Sequence, residues 1–394
     1  MKKVLMATAA LSLMAGVAQA DAVKVGIILG FTGPIESLTP DMAAGAELAM
    51  KEVSESGMFL DGSTIEPVRA DSTCVDAAAA TAAAERLITS DNVAAIMGAD
   101  CSGVTTAIAN NVGVPNGVVM ISPSATSPAL SDIEDNGFFF RTAPSDARQG
   151  DVLANVIKDK GYDNVAVTYT NNDYGKGFAD AFQAAYEALG GSVAISAAHE
   201  DGKADYSAEV GALSAAGADL LVVLGYVDQG GLGIIRTSLD TGAFDTFALG
   251  DGMFGDSLIE NIGDDLNGTF GTVPGSEGEG AAKLAEMLDG IADNASGPYT
   301  GESYDAAALI ALAAQAAGSA DRAAIQSKIL DVANAPGEPI GPGELAKGLE
   351  ILKNGGEIDY VGATNVELIG AGEAAGSYRE YEVKDGAFET VTFR

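Results

Sequence analysis

Apolar residues in this chain come mostly as short unbroken runs, not as alternating ones. Val23 to Gly30 is the first, and Ile65–Ala70, Val93–Met97, Val118–Ile121 and Phe138–Arg141 follow. Runs of this length, bounded by turn residues, suit strands buried on both faces. Helical stretches near 40–57, 75–90 and 102–112 separate several of them. After a break at Thr142–Asp146 the pattern starts again. A helix is expected at 146–160, then strand Val165–Tyr169, helix 175–189, strand Val193–Ala197, helix 205–216, strand Leu220–Leu224, helix 230–241 and strand Phe247–Gly250. Such alternation implies a parallel, doubly wound sheet in each round, hence an α/β chain of two lobes.

Beyond Phe247–Gly250 the pattern loosens. A loop rich in Gly, Glu and Pro spans Thr272–Gly280, and helices are expected near 277–291, 303–317 and 321–333. Tyr378–Phe393 alternates around Asp385-Gly386, which reads as a β-hairpin. Helices left over after the second lobe imply that the chain crosses back to the first. A cleft between two such lobes lies at the carboxyl ends of their strands, where open α/β sheets bind ligands.

The N-terminus looks like an address. Lys2 and Lys3 precede an apolar stretch, Val4–Val17, too short to span a bilayer comfortably, and Ala18-Gln19-Ala20 is a small-x-small cleavage site. The expectation is a signal peptide over 1–20, cleaved after Ala20, and an exported, soluble protein. Cys74 and Cys101 then read as one disulfide, since the compartment is oxidising and the count is even. Such a bridge would stabilise by about 3 kcal/mol. Two buried thiols are the alternative.

Composition narrows the function. Of 394 residues, 21 are Lys or Arg and 56 are Asp or Glu, a formal charge of −35. That excludes a nucleic-acid partner, which needs a cationic footprint, and opposes docking on anionic lipid. One His and two Cys leave little for a His/Cys metal centre, so no metal and no cofactor is expected. Nucleophile-elbow, Walker and dinucleotide fingerprints are missing. His199 is the single imidazole. Its neighbours Glu200 and Asp201 suggest a surface position, not a catalytic one. The chain therefore reads as a binder, not an enzyme.

Strand ends carry the useful chemistry. Ala99-Asp-Cys-Ser-Gly103 follows one strand, with Ser102 placed as a helix N-cap. Ser122-Pro-Ser-Ala-Thr-Ser-Pro128 follows another. Hydroxyls beside helix N-termini make an anion site without Lys or Arg, and ordinary capping is the plainer reading. In the second lobe, strand ends offer Asn171-Asn-Asp-Tyr174-Gly, Gly225-Tyr226 and Gly250-Asp251-Gly252. A carboxylate there could hold an ammonium, and tyrosines could close over an apolar side chain.

These residues resemble a known family. The export signal, the opening Val-Gly-Ile-Ile-Leu-Gly-Phe-Thr-Gly-Pro, Ala99-Asp-Cys-Ser-Gly, Ile121-Ser-Pro-Ser-Ala-Thr-Ser-Pro and Asn172-Asp-Tyr-Gly-Lys-Gly are similar to the periplasmic Leu/Ile/Val-binding protein family. These are substrate-binding proteins of branched-chain amino-acid ABC importers, and the likeness runs to the Tyr378-Arg-Glu-Tyr-Glu-Val end. It implies two Rossmann-like lobes joined by a three-segment hinge, the type I periplasmic binding fold. The lobes would be 21–143 plus 273–370 and 144–272 plus 371–394. It implies that Ser102 and Thr126 hold a ligand carboxylate, and that Ser124, Ala125 and the Thr126 hydroxyl lie at the same end of the ligand, Ser124 and Thr126 facing its ammonium. Asp251 would pair with that ammonium, Tyr174 and Tyr226 would close over the ligand, and Tyr299 would lie near its side chain. The family disulfide matches Cys74 and Cys101.

There are departures. The family often has Glu where Asp251 stands, one methylene longer. Leu38 lies where it can carry a bulky aromatic, which implies a different side-chain pocket. The resemblance implies a monomeric periplasmic protein that delivers a branched-chain or other apolar amino acid to an inner-membrane ABC permease. An aromatic carboxylate, urea or a short amide as ligand, or a sensor uncoupled from transport, is the alternative.

Overall fold

The computed structural model describes residues 22–394. The expected signal segment, 1–20, lies outside the described residues. Sixteen strands are present: β1 (Ala22–Leu29), β2 (Thr64–Asp71), β3 (Ala95–Gly98), β4 (Val119–Ser122), β5 (Phe139–Arg141), β6 (Asn164–Thr170), β7 (Ser192–His199), β8 (Leu220–Leu224), β9 (Phe247–Leu249), β10 (Phe270–Pro274), β11 (Glu338–Ile340), β12 (Ile358–Tyr360), β13 (Leu368–Ile369), β14 (Glu373–Ala374), β15 (Tyr378–Lys384) and β16 (Ala387–Phe393). They form two seven-stranded sheets, ordered β13-β14-β5-β4-β3-β1-β2 and β16-β15-β10-β9-β8-β6-β7. Each sheet is parallel at its centre and ends in an antiparallel edge, so two mixed α/β lobes are present.

Burial explains why the central strands were legible. Every residue of β3, β4 and β8 is buried, because helices cover both faces. The edge strand β7 alternates instead. Helix Thr39–Glu55 starts with Pro40 in its first turn and buries Met42, Ala43, Ala46, Ala49, Met50 and Val53. It packs against helix Thr300–Ala317 so closely that a Cβ on Gly45 would stand 2.4 Å from the Thr300 carbonyl. The tail is the expected hairpin, with Asp385 and Gly386 both at positive φ, as a tight two-residue turn requires.

The chain passes between the sheets three times: from β5 to helix Asp146–Asp159, from β10 to helix Glu279–Leu288, and from β14 to β15. Gly275 and Ser377 tie the last two crossings together, the Gly275 amide donating to the Ser377 carbonyl at 3.0 Å and the Ser377 hydroxyl returning at 2.8 Å. Cys74 and Cys101 are disulfide-bonded, Cα atoms 5.1 Å apart.

Several elements differ from the sequence pattern. The expected helix 321–333 is two short ones, Arg322–Gln326 and Ile329–Ala333. Helix Ser102–Ile108 continues as a π turn over 109–113. Cys101, not Ser102, occupies its N-cap. His199 corrects the surface expectation: it is 1% exposed. It ends β7 beneath the Tyr206 ring, its Nδ1 is 2.9 Å from the Thr168 hydroxyl, and burial lowers its pKa to about 4.

Candidate functional site

In both sheets the winding reverses beside the first strand of the lobe: between β1 and β3 in one, and between β6 and β8 in the other. The strands that diverge there leave a crevice at their carboxyl ends. The two crevices face each other across one cavity of about 330 Å³, lined by Ile35, Leu38, Asp100, Cys101, Ser102, Ser124, Tyr174, Tyr226, Asp251, Gly252 and Tyr299.

The first lobe supplies a wall of hydroxyls and backbone. Asp100 stitches three strand ends together: its carboxylate accepts from the Gly30 amide and, at 2.8 Å, from the Ser72 hydroxyl. Ser102 is buried, and its Oγ accepts from the Ser127 amide at 3.1 Å. The Ser124 hydroxyl donates to the Asp100 carbonyl at 3.1 Å. Ala125 and Thr126 lie beneath this wall and do not line the cavity. The Ala125 amide donates to Ser122 Oγ at 2.9 Å, and its carbonyl accepts from Arg141. Thr126 Oγ1 is buried with no protein partner. Arg141, 1% exposed, braces the loop: Nη1 donates to the Ala125 and Ser127 carbonyls at 3.0 and 2.9 Å, and Nη2 to Ser131 Oγ at 2.8 Å and to Glu373. The guanidinium is thus committed to the scaffold.

The second lobe supplies acid and aromatic surface. Asp251 follows β9 and is 3% exposed. Its Oδ1 accepts from the Tyr174 hydroxyl at 2.9 Å and its Oδ2 from the Tyr299 hydroxyl. Tyr174 also accepts from the Gly252 amide at 3.1 Å. A side chain at Gly252 would meet the Gly225 carbonyl at 2.6 Å, so the loop after β9 can press this close only with glycine. Tyr226 stacks on Tyr174, ring centres 5.3 Å apart, and Asn172 donates to its hydroxyl at 3.2 Å. Burial pushes all three tyrosine hydroxyls well above their usual range, so they remain proton donors. Tyr299 precedes helix Thr300–Ala317 at φ 61°, a left-handed conformation unusual for a non-glycine residue.

One residue absent from the sequence reading joins this group. Asp146 opens helix Asp146–Asp159 and is fully buried; the Thr126 hydroxyl lies beside its carboxylate and draws its pKa down, although neither oxygen completes a full hydrogen bond among the described residues. Burial first, then the charge of Asp251, holds its carboxyl well above the ordinary value of 3.8. Burial likewise raises Asp251, offset in part by the Tyr299 and Tyr174 hydroxyls. In the sequence, Asp146 was hidden by its position, since Asp in a first helical turn is ordinary capping chemistry.

The lobes touch around the cavity. Asp228 accepts from the Ser37 amide at 2.8 Å and donates its own amide to the Pro34 carbonyl at 3.0 Å. The Ser127 hydroxyl donates to the Asp173 carbonyl at 3.0 Å. Among the described residues no group of His, Cys, Asp and Glu has the arrangement of a metal site.

Two doubly wound lobes, three crossings and a buried cavity between strand ends define a bilobal solute-binding protein. A family profile described as "Periplasmic binding protein" matches residues 22–347, and the chain belongs to that family. Leu/Ile/Val-binding protein homolog 1 of Brucella abortus is 33% identical over 320 residues, 80% of this chain and 84% of that one. The chemotactic signal transduction system substrate-binding protein BasB of Halobacterium salinarum is 28% identical, over 93% of this chain and 88% of its own. Among solved structures, the leucine binding protein LivK of Thermotoga maritima superposes with a TM-score of 0.78 at 25% identity, covering 94% of this chain and 98% of that one. The type I periplasmic binding fold is therefore shown, and family membership implies a periplasmic location.

Proposed function

We propose that the protein captures a free α-amino acid with a branched or other apolar side chain and hands it to an ABC permease, performing no reaction. The observation that carries this reading is the buried carboxylate of Asp251, with Asp146 near enough to feel its charge, in a cavity with no cationic lining residue. A ligand ammonium in the cavity would pair with Asp251 and relieve its repulsion of Asp146. The ligand carboxylate would turn to the Ser102–Thr126 wall. Ile35, Leu38 and the tyrosine rings would enclose its apolar side chain. A bare aromatic carboxylate would meet repulsion at both acids.

The hinge would be the three crossings, with lobes 21–143 plus 273–370 and 144–272 plus 371–394 rocking between an open form and the closed one described above. Cleavage after Ala20 would release a periplasmic monomer. The Leu/Ile/Val-binding name of the Brucella relative and the leucine-binding name of LivK support the substrate class. A sensing role uncoupled from transport is a second reading, favoured by the printed name of the Halobacterium relative.

The test is a thermal-shift screen of protein refolded free of carried-over ligand, with all L-amino acids, urea, short amides and aromatic acids. A ligand that binds only the folded state raises the melting temperature. Shifts with leucine, isoleucine or valine are expected. Shifts confined to ligands lacking an α-amine would overturn the substrate and the role given to Asp251.

A further inference from the structure

Tyr299 has a second face. On its hinge side lies another cavity, of about 250 Å³, shared between the lobes. Its wall includes Phe254, Leu284, Pro298 and Tyr299, and two ionisable side chains reach it, Glu302 and Arg379. Glu302 lies in the first turn of helix Thr300–Ala317, and its carbonyl accepts from the Thr142 hydroxyl at 2.8 Å. Arg379 lies in β15, just past the third crossing. Gly275 and Ser276 of the second crossing are in its lining.

Neither group makes an ion pair among the described residues. Glu302 is 5% exposed, and the polar group nearest its carboxylate is its own amide. Burial raises its pKa to about 8; its own amide pulls it down, the charge of Asp305 pushes it up, and Arg379 pulls it down. Arg379 lies over the Phe254 ring, 4.3 Å from its centre, makes no ion pair, and has a buried Nε without an acceptor. Arg379 is thus a cation without a counter-ion, and Glu302, kept largely protonated by burial, ionises only when a cation comes to meet it. A molecule carrying a carboxylate and an ammonium compensates both at once. A simple carboxylate serves Arg379 and crowds Glu302, and a simple amine does the reverse. Phe254, Leu284 and Pro298 offer the apolar surface a side chain would cover.

We propose that this hinge cavity is a second ligand site for a small zwitterion, a free amino acid, with its carboxylate on Arg379 and its ammonium on Glu302. Its occupant lies against the back of the Tyr299 ring, whose hydroxyl holds Asp251 in the cleft.

The test titrates L-leucine and its deaminated analogue isocaproate into the protein by calorimetry, using wild type, Glu302→Gln and Arg379→Gln. Wild type should show a leucine-binding step that each substitution weakens by at least about tenfold. Any step that is indifferent to both substitutions belongs to the cleft. If the cleft does not take leucine, only the sensitive step remains, so failure of the proposed transport substrate is separable from failure of this site. Glu302→Gln changes one atom and keeps the test alive if Arg379→Gln does not fold, which circular dichroism would reveal. Crystals grown with excess leucine should show a molecule between the two side chains. Absence of any sensitive step, or isocaproate binding there as tightly as leucine, would overturn the proposal.

Discussion

The two walls of the cleft are built on opposite principles. The first-lobe wall carries one acid, Asp100, and its polar groups are largely spoken for: the Gly30 amide and the Ser72 hydroxyl hold the Asp100 carboxylate, Ser102 Oγ holds the Ser127 amide, the Ser124 hydroxyl holds the Asp100 carbonyl, and the Ala125 carbonyl holds Arg141. The second-lobe wall is acidic, and its charge is incompletely met. Asp251 has two tyrosine donors, and Asp146 behind it has only the Thr126 hydroxyl, short of a full hydrogen bond. A wall satisfied from within is rigid and sets geometry. A wall left short of partners is where ligand charge is most strongly felt, because removing a buried charge's partner costs far more than the net gain from making the pair. The account therefore assigns positioning to the first wall and discrimination to the second.

The largest expected effect breaks the first wall. Arg141→Met leaves the carbonyls of Ala125 and Ser127 without their buried donor and strands Glu373. It should cost about 3–5 kcal/mol of stability in denaturant unfolding. Loss of binding with unchanged stability would show instead that Arg141 faces the ligand. Next comes the second wall. Asp251→Asn should weaken an amino-acid ligand by at least about 1.4 kcal/mol, a tenfold rise in Kd, measured by calorimetry. Unchanged affinity would remove Asp251 from the site.

Asp146→Asn sharpens the comparison through pH. The folded pKa of Asp146 is raised, so its favourable contribution is complete below the unfolded value near 3.8 and is lost as pH rises through the folded value. Ligand-free Asp146→Asn should thus be more stable than wild type at neutral pH, by about 1–3 kcal/mol, with the advantage vanishing in acid. Ligand affinity should fall in the same variant. A variant less stable at every pH would make Asp146 a structural cap. The smallest effect is at the rim: Asp228→Ala removes the Ser37 bond between the lobes and should weaken binding by about 1 kcal/mol through the closed state. The ligand dissociation rate in stopped flow is the readout, and an unchanged rate would mean that Asp228 does not hold the lobes together.

The central strands were legible because β3, β4 and β8 are buried on both faces and write themselves as apolar runs. The tail hairpin was legible because Asp-Gly is direct turn chemistry. The short pairs β11–β12 and β13–β14 were not read, since strands of two or three residues carry no period; β10, half of which was expected as loop, and helix Leu345–Lys353 were missed as well. His199 misled because its acidic neighbours follow it in sequence, whereas its burial comes from Tyr206 and the strand end. Seven of the candidate site residues line one cavity. Arg141, the brace behind them, was invisible because its partner Glu373 is distant in the chain, and Asp146 because an Asp in a first helical turn reads as a cap.

The most direct measurement compares L-leucine with isocaproate in the cleft of refolded protein, using calorimetry on the Glu302→Gln variant so that the hinge cavity does not contribute. The two ligands share a carboxylate and a side chain and differ in the ammonium. Leucine binding at least about tenfold tighter is the predicted result, because the second wall holds two buried acids. Isocaproate binding as tightly as leucine, or more tightly, would contradict the assignment of discrimination to that wall.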